Sequence, residues 1–371
     1  MASIFRRGLE YLSPSASRTP SSVSDYEATS VPATGKPAVA SKVITAQSPS
    51  TLFTVVDPTV DGEDCDHDCA SCTIKYPAKF SVDYEDELYG HVKGWATHVL
   101  VAREDRLGSV MEAIERGGVS AKNGALKLSA SNIPVPDEYY HHPEGEQPTT
   151  VLLLPAFTII DHVTPALVPN LIRQFVDLFS DNYNSFIAGQ EEPTEQTPSD
   201  INIPERPPLD LKDLSESLPT SLRSRPCSHA AVILLCSQKT RDARCGQSAP
   251  LLRREFERHL RPLGLYRDLH DERPGGVGIY FISHVGGHKY SANVIVYRRR
   301  NFEWFKEGKD DCSNNVESME KEGASQGIWL ARVRPEDCEG IVKFTVLQGK
   351  VVKPGLQLRG GFDREKGLIS W

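Results

Sequence analysis

The chain has 371 residues, 39% of them hydrophobic and 25% charged, with 42 Lys+Arg against 50 Asp+Glu and a net charge of −8. That composition is ordinary for a soluble protein and leaves room for two domains. No apolar run approaches the ~18 residues of a membrane helix, so no membrane partner is expected.

The charge is uneven. Residues 223–300 hold 15 Lys+Arg against 6 Asp+Glu, which suits a solvated basic face, an anionic cofactor or an acidic partner. The arginines carry no interleaved aromatic series, so nucleic acid is not expected. No secretory apolar core opens the chain. Arg6, Arg7 and Arg18 among serines give a faint mitochondrial-presequence character, which Glu10, Asp25 and Glu27 weaken.

Residues 1–50 are rich in Ser, Thr, Pro and Ala and are expected to be disordered. An N-terminal α/β domain is expected over 51–188. Its strands are THVLVA (97–102), ALKLSA and TTVLLL, with a short helix at GSVMEAIERG. The helix TPALVPNLIRQFVDLFS follows, where Ile172, Phe175, Val176 and Phe179 recur at helical spacing and Pro169 falls in an early turn. Residues 189–222 are Pro- and acid-rich without periodicity and read as a linker.

The next segment, 223–358, begins with the buried strand HAAVILLCS. The helix SAPLLRREFERHLRPLGL follows, with Ser248 as its expected N-cap. Strands GVGIYFI, NVIVY and IWLARV lead to a last helix at PEDCEGIVKFTVLQG. This order is compatible with a thioredoxin-like domain. No short-period repeat is evident, and the N-terminal half is open to the same architecture. Residues 359–371, glycine-rich and charged, read as a flexible tail.

SHVGGHKY (283–290) places His284 and His288 four apart, but Gly286 and Gly287 disfavour helix. The flanks are β-branched and aromatic, so both imidazoles are expected in a tight loop between strands. Cys236 closes a buried strand, and Cys245 stands just before the expected helix, whose dipole would favour its thiolate. Two thiolates and two imidazoles make a four-ligand set. Zinc takes Cys2His2 tetrahedrally, and a [2Fe–2S] cluster also accepts two Cys and two His. Core cysteines with polar loop histidines are the plain structural alternative.

LLCSQKTRDARCGQSAPLL with HVGGHKYSANVIVY, together with CASCTIKYP, LYGHVKGWATHVLVA and LRGGFDREKGLISW, resembles the sucrase/ferredoxin-like family in its fungal actin-patches-distal type. The resemblance runs from about Asp64 to Trp371. It implies a thioredoxin-like ferredoxin domain with a [2Fe–2S] cluster on Cys236, Cys245, His284 and His288. Many relatives read CSHG where this chain has Gln238 and Lys239, next to a ligand position. No carboxylate pair supports the family's sucrase label. The function so implied is electron transfer, coupled to protonation through the outer imidazole nitrogens, by a carrier rather than by a catalyst with its own substrate. A thioredoxin-type thiol oxidoreductase and a zinc-stabilised interaction module are the alternatives.

Cys65, Cys69 and Cys72 in CDHDCASC suit a second metal site, a redox thiol pair or a structural role. Cys227, Cys312 and Cys338 read as structural. Ile369-Ser370-Trp371 resembles the C-terminal tripeptide of clients of the cytosolic iron–sulfur assembly targeting complex. That complex is therefore the expected partner through Trp371, and a cytoplasmic location is expected, with mitochondria as the alternative.

Overall fold

The computed structural model describes residues 44–371 except 118–119, 123, 144–146, 178–220, 241, 284 and 301–322. The linker expected at 189–222 falls almost wholly outside the described residues, as do Cys312 and residues 1–43. The chain enters with the strand β1 (Ile44–Thr45), so ordered structure begins inside the segment expected to be disordered. Two single helical turns, Pro49–Leu52 and Pro58–Asp61, follow, capped by Ser48 and Asp57. Residues 62–96 form only turns and extended chain.

Two similar units come next. In the first, β2 (Thr97–Ala102) crosses through the helix α1 (Glu104–Gly117) to β3 (Leu126–Ser131), which lies parallel to β2. β4 (Thr149–Leu154) then pairs antiparallel with β2 on its other side, and β5 (Thr158–Val163) with β4. A helical stretch closes the unit: a tight turn at Pro165–Leu167, α2 (Val168–Leu171), then a wider turn at Ile172–Val176. The edge strand β6 (Arg223–Pro226) pairs with β5.

In the second unit β7 (Ala231–Cys236) crosses through α3 (Ala243–Leu260) to the parallel strand β9 (Val277–Ile282), beside which the short β8 (Tyr266–Arg267) lies. β10 (Val294–Arg298) pairs antiparallel with β7, and β11 (Gln326–Leu330) with β10. The closing helix again starts as a tight turn, Pro335–Asp337, runs through α4 (Cys338–Gly340) and widens over Ile341–Val346. Each unit thus has the spatial order second–first–third–fourth strand. Even the backbone strain repeats: His162 and Arg332, each three residues before the helix-starting proline, have φ of +63° and +57°.

The units meet where β3 touches β9 antiparallel at Ser131 and Ile282, giving one sheet of thirteen strands among the described residues. Ala102 ends β2 where Cys236 ends β7, so the thiol position of the second unit is apolar in the first. β7 is buried along its whole length, as a strand covered on both faces must be. Period-2 alternation sends Ile233 and Leu235 toward Leu252 and Phe256 of α3. It sends Val232, Leu234 and Cys236 to the opposite face, with Trp95, Ile295 and Trp329.

The tail expected at 359–371 is not a flexible arm. β12 (Leu358–Asp363) pairs with β11, and β13 (Leu368–Ile369) with both β12 and β1. The glycines that suggested flexibility serve close approach instead: a Cβ on Gly361 would strike the Gly327 carbonyl and the Phe53 ring. Residues 62–96, although they precede the first unit, strap onto the second. The Tyr76 hydroxyl donates to Val333 O at 2.6 Å, Cys69 N to Glu336 O at 2.9 Å and the Tyr290 hydroxyl to Glu87 O at 2.7 Å.

Candidate metal centre beside the last turn of a buried strand

Cys236 is the last residue of β7 and is 2% exposed. Its amide donates to Asn293 O at 3.1 Å, and the next amide, Ser237 N, donates to Ile282 O at 2.9 Å. Cys236 is therefore held between the end of β9, two residues before His284, and Asn293, which precedes β10 and lies five residues after His288. That placement follows from β7 and β9 being parallel, with β10 returning along the other side of β7.

α3 starts earlier than the sequence suggests. Asp242 is its N-cap, accepting from Arg244 N at 2.9 Å, while Ser248 lies inside the helix, its hydroxyl on Cys245 O. An Asx cap before Ala243 outcompetes the serine. Cys245 accordingly sits in the first helical turn, 1% exposed, with its thiol hydrogen-bonded to that of Cys236. The eight intervening residues do bring the two sulfurs together. The thiol is pushed far above the usual range, first by Cys236 alongside it and then by burial. The lowering expected from the helix dipole is overridden, because two adjacent buried thiols resist a second negative charge.

The histidine loop is tight, as expected: Gly286 and Gly287 have φ of +97° and +66°. His284 and the side chain of His288 lie outside the described residues. The backbone around them is fixed by side chains that local sequence patterns did not single out. Arg359 on β12 donates to Gly286 O and to Asn293 Oδ1, each at 3.0 Å, and to His91 O at 3.2 Å. Its guanidinium lies 4.0 Å from the Trp329 ring centroid, and a Cβ on Gly287 would run into it. Trp329 Nε1 donates to Asn293 Oδ1 at 3.1 Å. Arg244 forks onto Asp242 and reaches Ser81 O and Lys289 O, tying the cysteine loop to the histidine loop and the strap.

Two cations feel the charge of Cys236. Arg359 is 2% exposed, and burial lowers its pKa to about 10, with Tyr290 and Cys236 partly opposing. Burial also lowers Lys127, and again the charge of Cys236 opposes the shift. Both line a cavity of about 820 Å³ that opens beside the histidine loop, with Trp95, Tyr290 and Trp329 as its aromatic walls. Sequence alone does not tie Arg359 or Lys127 to the thiols: each is more than a hundred residues from Cys236 and Cys245, and Arg359 lies in LRGGFDREKGLISW without any local link to a ligand position. Only the sheet order brings them in.

Trp371 stacks on Trp95 with ring centroids 4.8 Å apart and meets Trp329 edge-on at 6.5 Å. Gly94 leaves room for it, since a Cβ there would collide with the indole. The strap cysteines divide. Cys65 is buried against Val56, Phe344 and Val352, while Cys69 and Cys72 face α3.

No solved structure matches the chain. It is 36% identical over 149 residues to actin patches distal protein 1 of Saccharomyces cerevisiae, a match covering 39% of this chain and 40% of that protein. It is 32% identical over 125 residues to altered inheritance of mitochondria protein 32 of Clavispora lusitaniae, covering 34% of this chain and 33% of the relative. In those two alignments the chain spans less than half of the relative's length. The protein of that same name from Meyerozyma guilliermondii matches over 324 residues at 25% identity, 82% of this chain and 92% of the relative. The family model described as sucrase/ferredoxin-like matches residues 88–360, which takes in both units, Cys236, Cys245 and the histidine loop. By that match the chain belongs to the sucrase/ferredoxin-like family.

Proposed function

We propose that the second unit is a thioredoxin-like ferredoxin domain and that Cys236, Cys245, His284 and His288 hold a [2Fe–2S] cluster. The observation that carries the reading is the buried contact between the Cys236 and Cys245 thiols at the mouth of the histidine loop. Two thiols pressed together under water-excluding cover are poor acids on their own. They become good ligands when a cation takes the place of their protons. Arg359 and Lys127 favour added negative charge there. Bound at these residues, the cluster would supply one-electron transfer. The chain's own part is to bury the sulfur side, to fix the histidine loop through Asn293 and Arg359, and to leave the outer imidazole nitrogens to take or release a proton.

The protein then acts as an electron carrier rather than as a catalyst with its own substrate. Its cellular place is read as cytoplasmic from the Ile369-Ser370-Trp371 ending, with recruitment of the cytosolic iron–sulfur assembly targeting complex through Trp371. In the folded chain Trp371 is packed on Trp95, so recruitment belongs to the immature chain, before the indole docks. The names of the mitochondrial-inheritance relatives favour a mitochondrial location as the second reading.

The test is ligand substitution. Cys236→Ser and Cys245→Ser should each lose the cluster, because a hard hydroxyl replaces a soft thiolate. His284→Cys and His288→Cys should keep one at a lower potential, since thiolate donates more charge than imidazole. Four single variants that bind iron and hold potential like the parent would refute the assignment.

A further inference from the structure

The Cys69-x-x-Cys72 turn of the strap packs against the C-terminal end of α3, at His259, whereas Cys245 stands in that helix's first turn. Cys69 Sγ, His259 Nε2 of α3 and a carboxylate oxygen of Glu339 in α4 all lie within 4.8 Å of one another. The sulfur–nitrogen separation is 3.9 Å. In tetrahedral zinc with the usual bond lengths a thiolate sulfur and an imidazole nitrogen stand about 3.6 Å apart. A shift of a few tenths of an ångström closes the difference.

The present occupant of this ring is a cation. Arg258 Nη2 is 3.4 Å from Cys69 Sγ, 2.9 Å from His259 Nε2 and 2.7 Å from Glu255 Oε2. A guanidinium can only donate, so His259 Nε2 accepts. The ring is therefore neutral, its proton is on Nδ1, and its lone pair points into the cluster. Burial and Arg258 both lower its pKa, in keeping with that state. Cys72 stands outside that three-atom cluster but belongs to the same turn, its amide donating to Cys69 O at 3.2 Å, and its thiol touches Glu255 on the neighbouring turn of α3. Two cysteines three apart in a turn are the spacing structural zinc sites use.

We propose that Cys69, Cys72, His259 and Glu339 form a second metal site, for Zn²⁺, that clamps the strap onto α3 and α4. Binding releases the two thiol protons to solvent. Two thiolates, one carboxylate and Zn²⁺ then carry a single negative charge, which Arg258 offsets while it stays on Glu255. The physical need is visible in residues 62–96, a run of turns and extended chain of a length that compact domains seldom tolerate without a staple. Cys65 takes no part, being packed in its own apolar cluster.

The site is tested on the full chain in two ways. Protein purified from cells should contain one zinc per chain by mass spectrometry. Cys69→Ser/Cys72→Ser should lose that zinc and leave iron content unchanged. Independently, anaerobic titration of the Cys236→Ser/Cys245→Ser chain with Co²⁺ should give one equivalent bound, with thiolate charge-transfer absorption and tetrahedral visible bands. Adding Cys69→Ser/Cys72→Ser should abolish those bands, and His259→Cys should keep them with a stronger charge-transfer band. The proposal is overturned by zinc that survives Cys69→Ser/Cys72→Ser, or by the absence of both zinc in the native chain and Co²⁺ binding in the titration. A Cys69–Cys72 disulfide in protein from cells, seen as a two-hydrogen mass loss in the mapped peptide, would also overturn it, because the pair would then be a redox couple.

Discussion

Buried polar side chains are expensive unless paired, and His229 and Arg359 are two that respond to acid and to charge. His229 is 4% exposed, and its Nε2 shares a 2.8 Å hydrogen bond with the Tyr280 hydroxyl. Burial first, then Arg267, lowers its pKa to about 4, with Asp271 opposing. In the unfolded chain an imidazole takes up a proton near pH 6.5. Between pH 6.5 and 4 the unfolded state therefore binds more protons than the folded one. The stability contributed by the neutral ring is complete above 6.5 and is lost as pH falls toward 4. His229→Gln should lose less stability than the parent between pH 7.5 and 4.5, by roughly 2 kcal/mol, in urea unfolding at the two pH values. Arg359 acts in the other direction, as a buried positive charge near Cys236. Under the proposed ligation, Arg359→Gln should loosen the histidine loop and lower the reduction potential by roughly tens of millivolts, read by spectroelectrochemistry on the chain that retains iron. An unchanged potential would mean that the cation is screened from the cluster.

Among the elements, the C-terminal hairpin shows most clearly what local sequence does and does not reveal. Trp371→Ala should destabilise the protein by about 2–3 kcal/mol, below the cost of a fully buried tryptophan because the indole is only partly covered, as read by chemical unfolding. Cluster occupancy in cells should fall as well if Trp371 also recruits delivery machinery, while chemical reconstitution in vitro should still succeed. The strands 97–102, 149–154 and 231–236 were legible because their apolar runs are bounded by turn residues. β5 was missed because Asp161 and His162 interrupt the apolar run of TIIDHV. The start of α3 was misplaced because Ser248 and Asp242 are both good caps, and only the surrounding packing selects between them. β12 and β13 were missed because their glycines signal flexibility locally and close packing globally. At the site, the thiol pair could be argued from an eight-residue spacer and a strand end. The supporting roles of Arg359, Lys127, Asn293 and Trp329 could not, since only the folded sheet brings these four side chains together at the thiols.

At the scale of the whole molecule, the plan is doubled but the thiol at the end of the leading strand is not. Both units repeat a parallel pair, an antiparallel pair and a closing helix begun by proline, and they join through β3 and β9. The first unit ends its leading strand in Ala102, and the second ends its own in Cys236. The strap, the hairpin and Trp371 then cover the second unit, which gives its thiols their burial. The most direct measurement is iron and acid-labile sulfide per chain, with the visible spectrum, on protein purified anaerobically from cells. Two iron and two sulfide with charge-transfer bands that vanish in Cys236→Ser are expected. A colourless, iron-free chain that reconstitution cannot load would contradict the account.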